Sequence, residues 1–169
     1  MSIIQRIIWF IFLLLLQVLV CNHIHILGYA TPMPFIYMLI MLHTDTPRWL
    51  YIIIGFTLGL LIDLAAICIG EYSTATTFVA LLTPWALSIC TPAERSDEGF
   101  APSALTMKWG GFLRYAFLVT LMECTLFFII ENFSFFHWED LLLDIACSTL
   151  LTLLIICAME RVRISFAKK

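Results

Sequence analysis

Long apolar runs, each close to the length needed to cross a lipid bilayer, limit what this chain can fold into more than any other feature. A helix needs roughly 20 residues to cross about 30 Å of hydrocarbon. Of the 169 residues, 62% are hydrophobic and only 12% are charged, whereas soluble domains are about half apolar and a quarter charged. A chain of this size cannot bury such an excess in one core. The sequence therefore predicts an all-α, polytopic membrane protein that forms a single domain over residues 1–169.

Six apolar runs are predicted to form a bundle of transmembrane helices: Ile3 to Cys21, about Tyr29 to Leu42, Trp49 to Ile69, Ser73 to Cys90, Gly111 to Ile130, and about Asp140 to Met159. The first run has no small-residue cleavage site after it, so it is read as a retained helix and not as a signal peptide. The second is expected to be short or irregular, because Pro32 and Pro34 stand at its head. Five spans without it remain an alternative.

The basic residues all fall on one side of a six-span arrangement. They are Arg6, Arg48, Arg95, Lys108, Arg114, Arg161, Arg163, Lys168 and Lys169. The positive-inside rule then places both termini in the cytoplasm, with residues 91–110 as a solvated cytoplasmic loop. With a net charge of −3 and a basic fringe of this ordinary kind, nucleic-acid binding is not expected. The partner that the composition itself predicts is membrane lipid.

Three carboxyl groups lie inside the predicted spans, and no lysine or arginine stands beside them. They are Asp63 in the third span, Glu123 in the fifth and Asp144 in the first turn of the sixth. A charge inside the membrane costs roughly 2.5 to 3.5 kcal/mol on insertion scales, so each one is a candidate functional group.

Asp63 shares one helix face with two glycines. Gly55, Gly59 and Asp63 follow one another at intervals of four residues, which places them on one stripe. The GxxxG pattern lets a second helix approach closely, so Asp63 is expected to face a neighbouring helix. The fourth span begins with hydroxyl residues, including Thr76 and Thr77. A hydroxyl group or the N-terminal dipole of that span is expected to stabilise the carboxylate.

A second polar stripe begins at Asp144 and continues through Ser148 and Thr152, while Glu123 follows Thr120 by one turn. Two interpretations of these groups stay open. They form a seam that fixes helix packing or receives a partner helix, or they line a path or pocket for a proton, a cation or another solute. The packing or partner seam is favoured.

Catalytic and metal-binding interpretations have weaker support. His23 and His25 form an H-x-H pair that His137 and nearby carboxylates can approach, but this spacing does not define a metal site. The six cysteines lie in or at the ends of apolar runs without a CxxC spacing, which is typical of buried structural thiols. The sequence shows no phosphate loop, GxSxG elbow or HExxH motif. We therefore expect no enzyme activity, no cofactor and no metal.

Several short motifs resemble the bacterial rod shape-determining protein MreD family. They are GFTLGLLIDL at Gly55 to Leu64, the following Gly70, the Ala75-Thr76-Thr77 run with Pro84 after it, FLRY at Phe112 to Tyr115, and ENFSFF at Glu131 to Phe136. The chain length and the six-span layout also fit this family. One departure is Thr83, where relatives often carry a basic residue before the proline.

The resemblance implies a non-enzymatic scaffold subunit of the cell-elongation machinery, in the bacterial inner membrane. Such a subunit would associate with MreC and, through the complex, with MreB, a penicillin-binding transpeptidase and the glycosyltransferase RodA. The family is also similar in fold to the membrane substrate-binding subunits, or S components, of energy-coupling-factor vitamin transporters. That similarity implies an alternative in which Asp63, Glu123 and Asp144 line a pocket for a small molecule or a cation.

Overall fold

All regular secondary structure in the described part of the chain is helical in the computed structural model, which describes residues 3–19, 31–66, 68, 70–91, 99–132 and 138–167. Six α-helices and one short 3-10 turn follow one another without a β-strand in these ranges. They are α1 (Ile3–Leu19), the turn Pro34–Ile36, α2 (Tyr37–Ile40), α3 (Arg48–Ala66), α4 (Glu71–Cys90), α5 (Lys108–Glu131) and α6 (Trp138–Ala167).

Helices α3 to α6 are each long and apolar enough to cross a membrane. Their outer faces carry exposed large hydrophobic side chains, such as Phe56, Phe78, Phe117 and Leu150. Exposed large apolar side chains along several long helices are what lipid contact requires. The prediction of an all-α chain is confirmed for the described residues, and four of the predicted spans are helices long and apolar enough to cross a membrane.

The four long helices pack in sequence order, each against the next, and α1 packs against α3. Side-chain positions show that α3 and α4 run antiparallel. Gly55 lies against Ala80, and Gly59, one turn further along α3, lies against Ser73, which is earlier in α4. The short connection between Ala66 and Glu71 enforces this antiparallel pairing.

A short buried segment, residues 31–40, fills the space between the long helices, and we call it the core segment. Its helical part, Pro34–Ile40, is at most about 12 Å long, so it cannot cross a bilayer as a helix. Each of its residues except the half-buried Met38 is buried, and it contacts α1, α3, α4, α5 and α6. Within the described part of the second predicted span, Tyr29 to Leu42, helix is thus limited to Pro34–Ile40.

The two ends of the bundle differ in charge. The described basic side chains, Arg48, Lys108, Arg114, Arg161 and Arg163, lie at the start of α3 and α5 and at the end of α6, which is one end of an antiparallel bundle. The opposite end carries acidic residues at the start of α4 and α6 and at the end of α5. Exposed tryptophans mark both ends, with Trp49 and Trp85 at the basic end and Trp138 at the acidic end, as in the aromatic belts of membrane proteins.

The loop predicted over 91–110 is more ordered than a solvated linker in its second half. Residues 92–98 lie outside the described ranges, but Pro102, Ser103 and Ala104 are buried against the bundle. The Phe100 N–H donates to the Thr44 hydroxyl over 2.8 Å, and the Thr44 N–H donates to the Phe100 carbonyl over 3.0 Å. Residues 99–107 therefore close the basic end of the bundle.

Candidate functional site

The glycine face of α3 is covered by α4 of the same chain. A Cβ atom built on Gly59 would lie 2.7 Å from the Ser73 nitrogen and 2.7 Å from the Tyr72 carbonyl oxygen. A Cβ on Gly55 would lie 2.5 Å from the Ala80 Cβ and 3.0 Å from the Thr76 carbonyl oxygen. Real Cβ contacts of that kind do not occur between rigid backbones, so the absence of side chains at both positions allows the two helices to touch.

Asp63 lies one turn beyond Gly59 and binds the N-terminus of α4. Its Oδ1 accepts a hydrogen bond from the Tyr72 N–H over 3.0 Å, and its Oδ2 accepts one from the Ser73 N–H over 2.9 Å. These amides belong to the first turn of α4 and have no acceptor within the helix. The capping residue Gly70 has a φ of 78° and no side chain, so Asp63 supplies the missing acceptor from the preceding helix.

The position of Asp63 explains how a buried carboxylate is stabilised without a basic residue. Asp63 is only 4% exposed, but both oxygens accept from backbone N–H groups at the positive end of a helix dipole. The helix dipole, one of the two expected sources of stabilisation, is therefore present. The hydroxyls of Ser73, Thr76 and Thr77 donate instead to carbonyl groups within α4 or at its start.

Glu123 on α5 binds α4 from another side. Its Oε1 lies 2.7 Å from the Thr76 hydroxyl oxygen, which itself lies 2.6 Å from the Tyr72 carbonyl oxygen. Glu123 and Thr120 are completely buried, and neither Glu123 Oε2 nor the Thr120 hydroxyl has a hydrogen-bond partner within the described part of the chain. Glu123 and Asp63 thus meet the same turn of α4 through different atoms.

The remaining candidates from the sequence separate in the structure. Thr77 is half-buried, and its hydroxyl donates a hydrogen bond to the Ser73 carbonyl of the same helix over 2.5 Å. Asp144 is half-buried, and its Oδ1 has no hydrogen-bond partner among the described residues. Ser148, one turn further along α6, is completely buried and binds the core segment.

The polar stripe of α6 satisfies the non-helical backbone of the core segment. The Thr31 N–H donates to the Ser148 hydroxyl, and the Met33 N–H donates to the Thr152 hydroxyl, both over 3.0 Å. Irregular backbone at membrane depth is tolerated only where protein groups take up its hydrogen bonds. Ser148 and Thr152 therefore allow the core segment to be irregular.

Thr152→Val is expected to lower the free energy of unfolding by about 1–3 kcal/mol, because the shape is kept while the buried Met33 N–H loses its acceptor. Thr83→Val is the matched control. Thr83 is similarly buried, but its hydroxyl donates only to the Val79 carbonyl of its own helix. Denaturant unfolding in mild detergent measures both. Equal stability of the two variants would contradict this role for Thr152.

Glu160 on α6 is a buried carboxyl group that sequence reasoning missed. Its Oε2 accepts from the Tyr37 hydroxyl over 2.5 Å and lies 3.3 Å from Arg163, while its Oε1 accepts from the Ala104 N–H over 2.8 Å. Glu160 thereby ties α6 to the core segment and to the 99–107 loop. Glu160 comes directly after the predicted end of the sixth span and has basic residues beside it in the sequence. That local pattern is typical of a solvent-exposed helix end.

Metal and thiol chemistry find little support in the described residues. No group of three His, Cys, Asp or Glu side chains there is placed to hold a metal ion. The histidines considered as metal ligands from the sequence, His23, His25 and His137, lie outside the described ranges. Burial and the nearby carboxylates of Glu71, Asp63 and Glu131 raise the pKa of the Cys68 thiol. A thiol in such a setting is a weak nucleophile.

Comparison with known proteins finds no relative of this chain. Models of protein families, curated proteins and solved structures give no match. The contacts of the polar groups inside the bundle are therefore the basis for assigning a function.

Proposed function

We propose that this chain is a non-enzymatic integral membrane scaffold of the MreD type, in which buried polar groups fix the helix arrangement that partner proteins recognise. The observation that carries this proposal is the engagement of Asp63 by α4. Both of its oxygens are taken up by backbone N–H groups, so the most distinctive intramembrane carboxylate serves helix packing. A group held in this way is poorly suited to bind and release a cation or a solute.

Other buried polar groups support the same role. Ser148 and Thr152 hold the core segment, and Glu160 holds the 99–107 loop. Each contact joins elements that are distant in sequence, which stabilises one particular arrangement of helices. A scaffold needs a rigid shape of this kind to present its surface to other membrane proteins.

The proposed setting is the bacterial inner membrane, with six spans and both termini in the cytoplasm. The basic end of the bundle would then face the cytoplasm, as the positive-inside rule requires. The proposed partners are an MreC-like protein and, through it, MreB, a penicillin-binding transpeptidase and RodA.

The transporter alternative retains one supporting observation. Glu123 Oε2 has no hydrogen-bond partner among the described residues, and a carboxyl oxygen in that position is available to contact a ligand. Under this alternative the chain resembles a vitamin-binding S component, and a bound small molecule or cation contacts α5.

Purification of the tagged full chain from its own membranes separates the two functions. Mass spectrometry of proteins and small molecules in the same sample is expected to find an MreC-like protein and no stoichiometric solute. A tagged polytopic membrane protein of another function is the control. Purification of the chain with a bound solute and without cell-elongation proteins would overturn the scaffold proposal.

A further inference from the structure

A continuous chain of hydrogen bonds joins Glu123 to Asp63 across three helices. From α5, Glu123 contacts the Thr76 hydroxyl, and this hydroxyl contacts the Tyr72 carbonyl oxygen of α4. The Ser73 N–H, which belongs to the same peptide group as that carbonyl, then donates to Asp63 on α3. All of these groups are buried, so their donors and acceptors must match within the chain.

The number of hydrogen atoms available along this chain of hydrogen bonds indicates whether the Glu123 carboxyl group carries a proton. The Tyr72 carbonyl can only accept, and the Thr76 hydroxyl has one hydrogen to donate. When that hydrogen points to Tyr72, the contact with Glu123 is a hydrogen bond only if the carboxyl group donates. An ionised Glu123 could only accept, so the Thr76 hydroxyl would have to donate to it. The Thr76 hydroxyl oxygen and the Tyr72 carbonyl oxygen would then lie 2.6 Å apart with no hydrogen between them.

Asp63 shows the opposite arrangement. The Tyr72 and Ser73 N–H groups can only donate, so both of its oxygens act as acceptors and no proton is needed. The two carboxyl groups thus bind the same turn of α4 differently, Asp63 as an acceptor at both oxygens and Glu123 through a hydroxyl whose hydrogen is already directed at a carbonyl group.

The surroundings of Glu123 also favour the neutral form. The nearest basic residue along α5 is Arg114, nine residues earlier, which is about 14 Å along the helix axis. Toward the end of the bundle where Glu123 lies, helices α3 to α6 carry carboxyl, phenol and thiol groups, among them Asp63, Tyr72, Cys124 and Asp144. The described lysine and arginine side chains of these helices lie toward the opposite, basic end. The core segment contributes no titratable group between Thr31 and Ile36.

We propose that Glu123 is a proton-binding site in the membrane interior, which joins α5 to α4 as a neutral carboxylic acid through Thr76. The ligand of this site is the proton itself. Loss of the proton would remove the donor between the two helices and place an uncompensated charge in a dry interior. This inference goes beyond the scaffold role and holds whichever proteins bind the chain.

Infrared spectroscopy of the full chain in lipid vesicles at neutral pH tests the proposal. Glu123→Gln is expected to abolish an absorption of a protonated carboxyl group while leaving the carboxylate absorption unchanged. Thr76→Val is expected to shift that band, because the hydroxyl partner is lost. Thr77→Val is the matched control and is expected to leave the band in place, since Thr77 makes the same bond to its own helix without a carboxyl contact.

A second measurement does not depend on the variants folding. In the wild-type chain, incorporation of ¹³C-labelled glutamate is expected to shift a protonated-carboxyl band, since Glu160 is paired with Arg163 as a carboxylate and the other described glutamates lie at the solvated ends. A spectrum in which labelling moves only carboxylate absorption, or in which Glu123→Gln removes carboxylate absorption, would overturn the proposal.

Discussion

Gly59→Leu is expected to destabilise the protein by more than about 3 kcal/mol, because the new side chain has no space between α3 and α4. Even a single Cβ at this position would lie 2.7 Å from the Ser73 nitrogen. A backbone atom cannot move aside as a flexible side chain does, so the helices must separate. Their separation would also pull Asp63 away from the amides of Tyr72 and Ser73.

The matched control is Gly110→Ala in the first turn of α5. A Cβ on Gly110 would meet no atom within 4 Å, and replacing a helical glycine with alanine stabilises by up to about 1 kcal/mol. Thermal unfolding in mild detergent, followed by circular dichroism, is expected to show opposite changes for the two variants. A Gly59→Leu protein as stable as the wild type would contradict the close packing of α3 on α4.

The contacts of Gly59 within the chain determine how an effect of Gly59→Leu on partner binding should be interpreted. The sequence alone allows a glycine face that docks a partner helix, but α4 occupies this face at both Gly55 and Gly59. A loss of partner in Gly59→Leu would follow from damage to the fold. Partner-binding experiments therefore need substitutions on the exposed faces of the helices.

Asp63→Ala is expected to cost about 3 kcal/mol, because two buried N–H groups at the start of α4 lose a charged acceptor. Hydrogen bonds to charged groups contribute about 1.5–3 kcal/mol each, and a buried donor left without a partner adds its own cost. Asp63→Asn is expected to fall between this variant and the wild type, since one amide oxygen can replace only one of the two acceptors.

Hydrogen exchange locates this effect. In Asp63→Ala, the amides of Tyr72 and Ser73 are expected to exchange faster than the loss of global stability alone explains. Amides in the middle of α5 and α6 are expected to exchange only as fast as the lowered global stability allows. Leu64→Ala is the control, because the neighbouring Leu64 side chain is exposed. Unchanged protection of the Tyr72 and Ser73 amides in Asp63→Ala would show that another group caps α4.

Local patterns in the sequence were sufficient for several features of the fold. The predicted third, fourth, fifth and sixth spans agree with α3 to α6 within a few residues at most ends, although α6 continues to Ala167. The glycine stripe correctly placed Asp63 beside the start of the next helix, because helical periodicity and a short connection together fix which faces meet. Pro32 and Pro34 correctly indicated that the helix of the second apolar run is short.

Other features depend on contacts that no local pattern contains. Ser148 is 117 positions from the Thr31 amide that it binds, and Tyr37 is 123 positions from Glu160. The sequence predicts the hydroxyls at the start of α4 as possible donors to Asp63. In the structure the backbone N–H groups donate to Asp63, and the hydroxyls donate to nearby carbonyl groups.

The sequence by itself determined that the chain forms helices apolar enough to cross a membrane, where four of them run, and which face of α3 meets a neighbour. These properties follow from composition and helical periodicity, which act over a few residues. Only the tertiary structure decided that the core segment lies inside the bundle, that Asp63 caps α4 and that Glu123 contacts Thr76. The physical reason is that a buried polar group must find its partner in three dimensions, wherever the chain brings a matching donor or acceptor within reach.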